Sequence, residues 1–284
     1  MELYKYFNAE VGLKVLETGL IRFSPARAFN DPFEMKPNII GLAPSDQLDE
    51  SMREKNPDVI KDEYEKSHVC IKSAMPFEEY LRFRTEPIPG IQAGVTTSAQ
   101  WLSPFLRMAL EERIEMSIGV LCLTDSDRNL TMWAHYADSH KGVVIGFDTS
   151  HAFFSSNDAG SGQPCHLKEV TYCDRPKLTF SGLRAEDIFL TKGEDWSREN
   201  EWRMFAGLSA GKVEVTKEGE EIHLFAYPHE SVTKIIVGCR ASSEVSDGVC
   251  KARTSIPGLS RAVVLKASPD RNNYELNFEA IVPV

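Results

Sequence analysis

The sequence has no apolar run approaching the roughly 18 residues that a spanning helix needs. Its opening residues, Met1-Glu2-Leu3-Tyr4-Lys5-Tyr6, carry neither a basic segment nor an apolar one. No membrane span and no secretory leader are expected, and the chain reads as cytoplasmic. Basic charge is also short. Lysine and arginine number 32 against 42 aspartates and glutamates, a formal net charge of −10 over 284 residues. Bulk electrostatics of that sign does not hold nucleic acid, which would need a local basic groove. The six cysteines (Cys70, Cys122, Cys165, Cys173, Cys239 and Cys250) include no C-x-x-C pair. They read as reduced, mostly buried thiols and not as a disulfide framework.

Several chemical signatures are missing as well. There is no G-x-G-x-x-G, no G-x-x-x-x-G-K-[ST] and no H-E-x-x-H. Dinucleotide and P-loop cradles and the commonest zinc-hydrolase helix therefore lack support. His135 and His140 stand five apart and His166 adjoins Cys165, but no zinc spacing is matched and no metal is expected.

What remains is an ordinary globular balance, 42% apolar and 26% charged, so disorder throughout is excluded. Leu3 to Phe7 reads as a strand, Ala9 to Thr18 as a helix capped by Asn8 and stopped by Gly19, and Leu20 to Phe23 as a second strand. Residues 41–116 change character. Charge dominates from Asp46 to Lys66, Pro87-Ile88-Pro89-Gly90 is a loop, and Pro76 and Pro104 mark expected helix starts. Ala99 to Met116 reads as a helix with Leu102, Phe105, Leu106, Leu110 and Ile114 inward.

From Ile118 onward strands take over: 118–123, 142–147, 169–172, 201–205, 213–215, 222–225, 234–237, 262–266 and 274–278. Short helices fit 129–137, 185–189 and 242–254. Few crossover helices among many strands predict an α+β fold. The expected body is a strand-rich mixed sheet, one domain over 1–284, with 41–116 as a helical insertion or cap.

Three segments are specified beyond bulk. In Phe29-Asn30-Asp31-Pro32-Phe33-Glu34 the Asx residues fold onto nearby amides and proline locks the turn. Two phenylalanines can anchor this corner, which presents Asn30 and Asp31 as a pocket wall or serves as a rigid knot. In Met132-Trp133-Ala134-His135-Tyr136, His135 could act as acid or base, a role that imidazoles commonly take, or simply hydrogen-bond. In Trp196-Ser197-Arg198-Glu199-Asn200-Glu201-Trp202-Arg203, an extended 199–204 puts Glu199, Glu201 and Arg203 on one face and Trp202 and Met204 on the other. That pattern suits either a surface ion pair or a carboxylate in a cleft. A one-residue slip exchanges the faces, so Glu199 and Glu201 both remain candidates.

These segments, in this order and joined by Lys141-Gly142, Gly146-Phe147-Asp148 and Ile235-Ile236-Val237-Gly238, resemble the bacterial family catalogued as domain of unknown function 2971, from Leu3 to about Gly238. A more remote resemblance is to ADP-ribosyltransferase-type enzymes, whose folds open strand–helix–strand and carry a glutamate on a late strand. This chain departs from them in having no histidine in the first strand and no Ser-Thr-Ser triplet.

That resemblance implies NAD as substrate, in a phage-defence or toxin-like effector. Glu201 would then stabilise the oxocarbenium-like carbon, and Tyr4, Lys5, Tyr6, Asn30, Asp31, His135, Tyr136 and Arg203 would hold the nucleotide. The alternative is a non-catalytic binding or sensor module. Asn30, Asp31, Glu201 and Arg203 would then form a buried network, and 41–116 would dock a protein partner.

Overall fold

Asn8 and Gly19 bracket the first helix by cap chemistry. The Asn8 side chain accepts from the Val11 N–H at 2.8 Å, and Gly19 takes the left-handed conformation (φ 65°) that ends a helix without a Cβ clash. The computed structural model describes residues 1–41, 57–67, 72, 75–85, 95–155 and 166–281.

Along the chain the elements run β1 (Glu2–Phe7), α1 (Ala9–Thr18), β2 (Leu20–Phe23), β3 (Asn38–Gly41), α2 (Pro57–Lys66), α3 (Phe77–Thr85), α4 (Val95–Ser117), β4 (Ile118–Thr124), α5 (Leu130–Tyr136) and β5 (Val143–Asp148). Then follow β6 (Lys168–Glu169), β7 (Thr171–Tyr172), β8 (Lys177–Thr179), α6 (Ala185–Phe189), β9 (Thr191–Lys192), β10 (Glu201–Gly207), β11 (Lys212–Val215), β12 (Glu221–Ala226), β13 (Val232–Val237), α7 (Ser243–Ser255), β14 (Val263–Pro269) and β15 (Leu276–Ala280).

The α+β class holds. An eight-stranded mixed sheet has the order β15-β14-β13-β5-β1-β4-β10-β6, with a smaller sheet β11-β12-β2 and two parallel pairs, β3-β8 and β7-β9. Only β13 and β14 are parallel neighbours in the large sheet, and α7 lies between them in the chain. The opening strand–helix–strand is split between sheets: β1 sits mid-sheet, while β2 pairs with β12 and is followed by a Ser24–Val120 bridge to β4.

Alternation along the central strands separates two cores. On one face Leu3, Phe7, Val143, Ile145, Phe147 and Met204 pack under α1 and α7. On the other, Tyr4, Tyr6 and Val144 meet Trp133 of α5, and Val120 and Phe205 meet Ile188 and Phe189 of α6. Glu201 and Arg203 share the face of Phe205, so a charged strip lies between the aromatic cluster and the α6 cluster.

Several expectations are corrected. The 169–172 strand is two short strands in different sheets, because Val170 turns its N–H to the Glu201 carbonyl and Thr171 then pairs with Thr191. Pro104 lies inside α4, which starts at Val95. Phe105, expected inward, is 68% exposed, and of that apolar set only Ile114 is fully buried, Leu106 and Leu110 being half-buried. The side chain of Leu102 lies outside the described residues, as do the loop 87–90 and the acidic stretch 46–56. Phe33 is 62% exposed and does not anchor the corner; Phe29, half-buried against the α6 cluster, does. The last strand begins at Leu276, leaving Tyr274 in solvent. Cys122, Cys173, Cys239 and Cys250 are free and half-buried, not fully buried; Cys70 and Cys165 lie outside the described residues. No described helix is long and apolar enough to cross a membrane.

Candidate functional site

Three local devices bring distant charges together. At the first corner the Asp31 carboxylate accepts from the Phe33 N–H at 2.9 Å, an Asx turn, and Met35 follows with a left-handed φ of 56°. That kink buries Glu34 while leaving Phe33 outside. At the second, residues 194–199 form a 3-10 turn, so the extended stretch does not reach back to Glu199. Asn200 is left-handed (φ 44°), and β10 begins at Glu201. Asparagine tolerates that conformation better than most residues. The reversal lets Glu199 and Glu201 both reach one lysine, so the choice between them does not arise. At the third, Asn129 caps α5 through the N–H groups of Thr131 and Met132, and its amide donates to the Arg198 carbonyl at 2.5 Å, tying α5 to the turn that carries Glu199.

The result is a buried ionic network. Arg203 Nε donates to Glu201 Oε1 and Nη2 to Glu201 Oε2, both at 2.9 Å, Nη1 donates to the Phe189 carbonyl at 2.7 Å, and Nη2 also donates to Glu34 Oε1. Lys192 Nζ donates to Glu199 Oε2 at 2.5 Å and Glu201 Oε2 at 3.0 Å, with Glu34 Oε1 at 3.7 Å. The Lys192 ammonium also stands 5.1 Å over the Trp196 ring. Tyr136 OH donates to Glu199 Oε1 at 2.7 Å and accepts from Asn30 Nδ2 at 2.9 Å, extending the chain to the exposed corner.

Arg203 is 0% exposed and Glu34 and Glu201 about as hidden, at 4% each. Such a network is weak evidence of stability, because desolvation opposes the Coulombic gain. It is strong evidence of a specified arrangement.

The electrostatics follow from burial. Burial pushes the Glu201 carboxyl above its ordinary range, against the pull of Lys192. For Lys192 burial works against the ammonium, but Glu201 and Glu199 outweigh it, and its pKa is raised. Burial lowers the Arg203 guanidinium to about 9, still charged at neutral pH. Burial, then Glu199, raises Tyr136. The Cys122 thiol, on the adjacent strand opposite Arg203, donates to Glu201 and is pushed well up by burial.

A cleft of ≈ 590 Å³ opens beside this network. Asp31, Glu34 and Lys192 line it together with Phe33, Trp196, Lys36 and Arg175, whereas Glu201, Asn30 and Tyr136 are not among its described lining residues. Glu34 Oε2 is buried without a hydrogen-bond partner. Among the described residues no three histidine, cysteine or carboxylate side chains stand together in a way that could hold a metal ion.

Of the residues the sequence singled out, Asn30, Tyr136, Glu201 and Arg203 belong to the network, and Asp31 lies at its edge. Tyr4 and Tyr6 do not. Tyr4 OH donates to Glu2 and accepts from Lys234 at 3.0 Å, in a separate cluster where Lys234 also pairs with Asp127 at 3.2 Å. Burial, then Glu2, raises Tyr4 to about 12. Tyr6 OH donates to the Ser126 carbonyl at 2.8 Å, its ring edge-on to Trp133. Lys5 Nζ donates to the Cys122 carbonyl at 2.9 Å, and burial lowers its pKa. His135 is exposed and touches only the edge of Tyr136 among the ring contacts.

Glu34, Lys192 and Trp196 were missed as site residues. Glu34 belonged to the corner motif. Lys192, between Thr191 and Gly193, carries no sequence signal at all.

Residues 132–204 match the family model described as protein of unknown function, DUF2971. That stretch contains most of α5, Lys192, Glu199, Glu201 and Arg203 but neither β1 nor the Glu34 corner. No curated protein and no solved structure matches the chain, so the ADP-ribosyltransferase resemblance draws nothing from these comparisons.

Proposed function

We propose that the cleft beside the ionic network is a binding site for a small ligand of the nucleotide class, with NAD as the ligand to test. Its size falls within the range usual for small-molecule sites, roughly 300–1,000 Å³. Phe33 and Trp196 offer aromatic surface, and the exposed Lys36 and Arg175 at its rim suit an anionic group such as a pyrophosphate. The observation that carries the reading is the presence on one cleft of two aromatic rings, Phe33 and Trp196, and two exposed cations, Lys36 and Arg175.

Within this reading Glu34, Glu199 and Glu201 hold Lys192 and Arg203 in place behind the cleft wall. The test is calorimetric titration of purified protein with NAD, with free nicotinamide measured in the same samples. Binding should weaken at least about tenfold in Trp196→Ala. Nicotinamide release makes the protein a glycohydrolase or transferase; binding without release makes it a sensor. Absence of NAD binding ends the nucleotide reading.

A second reading, docking of a protein partner through 41–116, is favoured by one observation. Phe105, Met108 and Met116 of α4 lie at helical spacing and are 65–70% exposed. Deleting residues 46–66 tests it: a docking module loses its partner, and a cleft that acts on its own keeps its ligand.

A further inference from the structure

We propose that Arg175 sets the specificity of the cleft: its guanidinium takes two oxygens of a phosphoryl group at the mouth, and the ligand is a phosphorylated nucleoside whose base lies inward, toward Trp196. This rests on the reading of the cleft as a nucleotide site and names the residue and the ligand group that decide what it accepts.

Strand pairing puts Arg175 where it can act. β3 and β8 run parallel with Asn38 opposite Lys177, so Lys36 and Arg175, each two residues earlier, arrive side by side. Pro176 biases Arg175 away from helical geometry. Arg175 Nη2 donates to the Lys36 carbonyl at 2.8 Å, and the guanidinium carbon stands 5.1 Å over the Phe33 ring. Phe33, which does not anchor the corner, is the platform on which the guanidinium rests. A fork fixed at a carbonyl and at a ring has lost much of its freedom before any ligand arrives.

The fork is also uncommitted. Among the described residues no acceptor meets Nε, Nη1 or the remaining Nη2 proton, and no carboxylate pairs with Arg175. Lys192, by contrast, is spent on Glu199 and Glu201, with Glu34 close by. Two carboxylates of the lining are committed as well: Asp31 accepts from the Phe33 N–H, and Asp187 accepts from Nε and Nη2 of Arg184. Asp195 lies beside Trp196 and is exposed to solvent. Lys36, the second exposed cation, adds attraction as a point charge and supplies no fork.

A phosphoryl group presents oxygens that match a guanidinium two at a time. Arg175 is exposed at the rim and Trp196 is half-buried, which sets the direction of the ligand, phosphoryl outward and base inward. Lys192 covers one face of the Trp196 ring, so the base lies against the other.

The probes are adenosine and adenosine monophosphate (AMP), titrated into the full chain by ligand-observed NMR, with NAD alongside. Wild type should bind AMP at least about tenfold more tightly than adenosine, the worth of hydrogen bonds to a charged group. Arg175→Ala should close most of that gap while leaving adenosine where it was, whereas general damage to the cleft would weaken both. Arg175→Lys keeps the charge without the fork and should recover only part of the gap. Arg175 is exposed, so neither substitution disturbs the core. Equal binding of adenosine and AMP by wild type, a gap undiminished in Arg175→Ala, or full recovery in Arg175→Lys overturns the assignment. NAD bound without AMP leaves the cleft as a nucleotide site and ends this assignment alone. Failure of all three to bind, or binding indifferent to Trp196→Ala, removes the cleft reading as well.

Discussion

Arg203 on β10 donates to Glu34 in the corner after β2, a contact that spans 169 positions of sequence and fastens the early segment to the late strand. Both side chains are 0% exposed, so the pair is held without water. Removing one partner of such a pair leaves the other buried and uncompensated. Arg203→Met should therefore lower unfolding free energy by about 3–5 kcal/mol. Lys14→Met, which removes an exposed pair with Glu214, should leave the urea midpoint unchanged within error. Equal effects from the two substitutions would mean that the buried network is not what joins the corner to the sheet.

Lys192 gives a pH dependence with a definite sign. Its folded pKa is raised above the ordinary 10.5, since Glu201 and Glu199 overcome the burial penalty. A raised amine contributes stability that is complete below the unfolded pKa and is lost as pH rises through the folded one. Between pH 10 and 11.5 the stability difference between wild type and Lys192→Met should shrink. Urea melts across that window check it, and a constant difference would show that the ammonium is not held by the two glutamates.

Much of the sheet was legible because burial on both sides imposes a plain pattern. Ile118 to Thr124, Val143 to Asp148 and Ile235 to Val237 are nearly unbroken apolar runs, and the caps Asn8 and Gly19 set α1 to the residue. The alternation in 201–204 also placed Glu201 and Arg203 opposite Trp202 and Met204, since β10 is paired on both edges and its faces meet different cores. What could not be read was which distant charges meet. Tyr4 was grouped with Glu201, yet the register that pairs it with Gly146 and Thr124 leaves its hydroxyl beside Glu2 and Lys234. Glu34 and Lys192 enter the network through two backbone kinks, at Met35 and Asn200, that residue type alone does not announce. Trp133 and His140 stack at 6.0 Å although the helix ends at Tyr136, because residues 138–140 all adopt positive φ and fold the chain back.

Two glycines separate close backbone approach from open space. A Cβ built at Gly142 would stand 1.9 Å from the Phe7 carbonyl oxygen, where β1 ends beside the start of β5, and backbone cannot yield there. One built at Gly41 meets nothing within 4 Å among the described residues. Gly142→Ala should cost at least about 3 kcal/mol, at the upper end of overpacking effects, or prevent folding. Gly41→Ala should be neutral or gain up to about 1 kcal/mol by restricting the unfolded chain. Thermal melts of the two variants decide it. A well-folded Gly142→Ala protein of wild-type stability would mean that β1 and β5 do not approach as closely as their pairing requires.

Tyr136 links the exposed corner to the buried charges, and its hydroxyl is the one atom touching both Asn30 and Glu199. Tyr136→Phe keeps the ring against its neighbours and deletes that link, leaving Glu199 Oε1 without its donor. Because Glu199 is nearly buried, water restores only part of the bond, and a loss of about 1–3 kcal/mol is expected. Asn30→Ala should cost less, since Asn30 is exposed and solvent replaces it. Glu199 also grips Lys192 at 2.5 Å, so loosening it shifts the ammonium that lines the cleft. A double-mutant cycle of Tyr136→Phe with Glu199→Gln separates the bond from general damage. Groups in one network couple by roughly 0.5–3 kcal/mol, whereas independent ones add. Additive losses would show that Tyr136 packs beside the network without belonging to it. Coupling in stability, accompanied by weaker binding of a cleft ligand, would show that the corner, the helix and the cleft wall act as one unit.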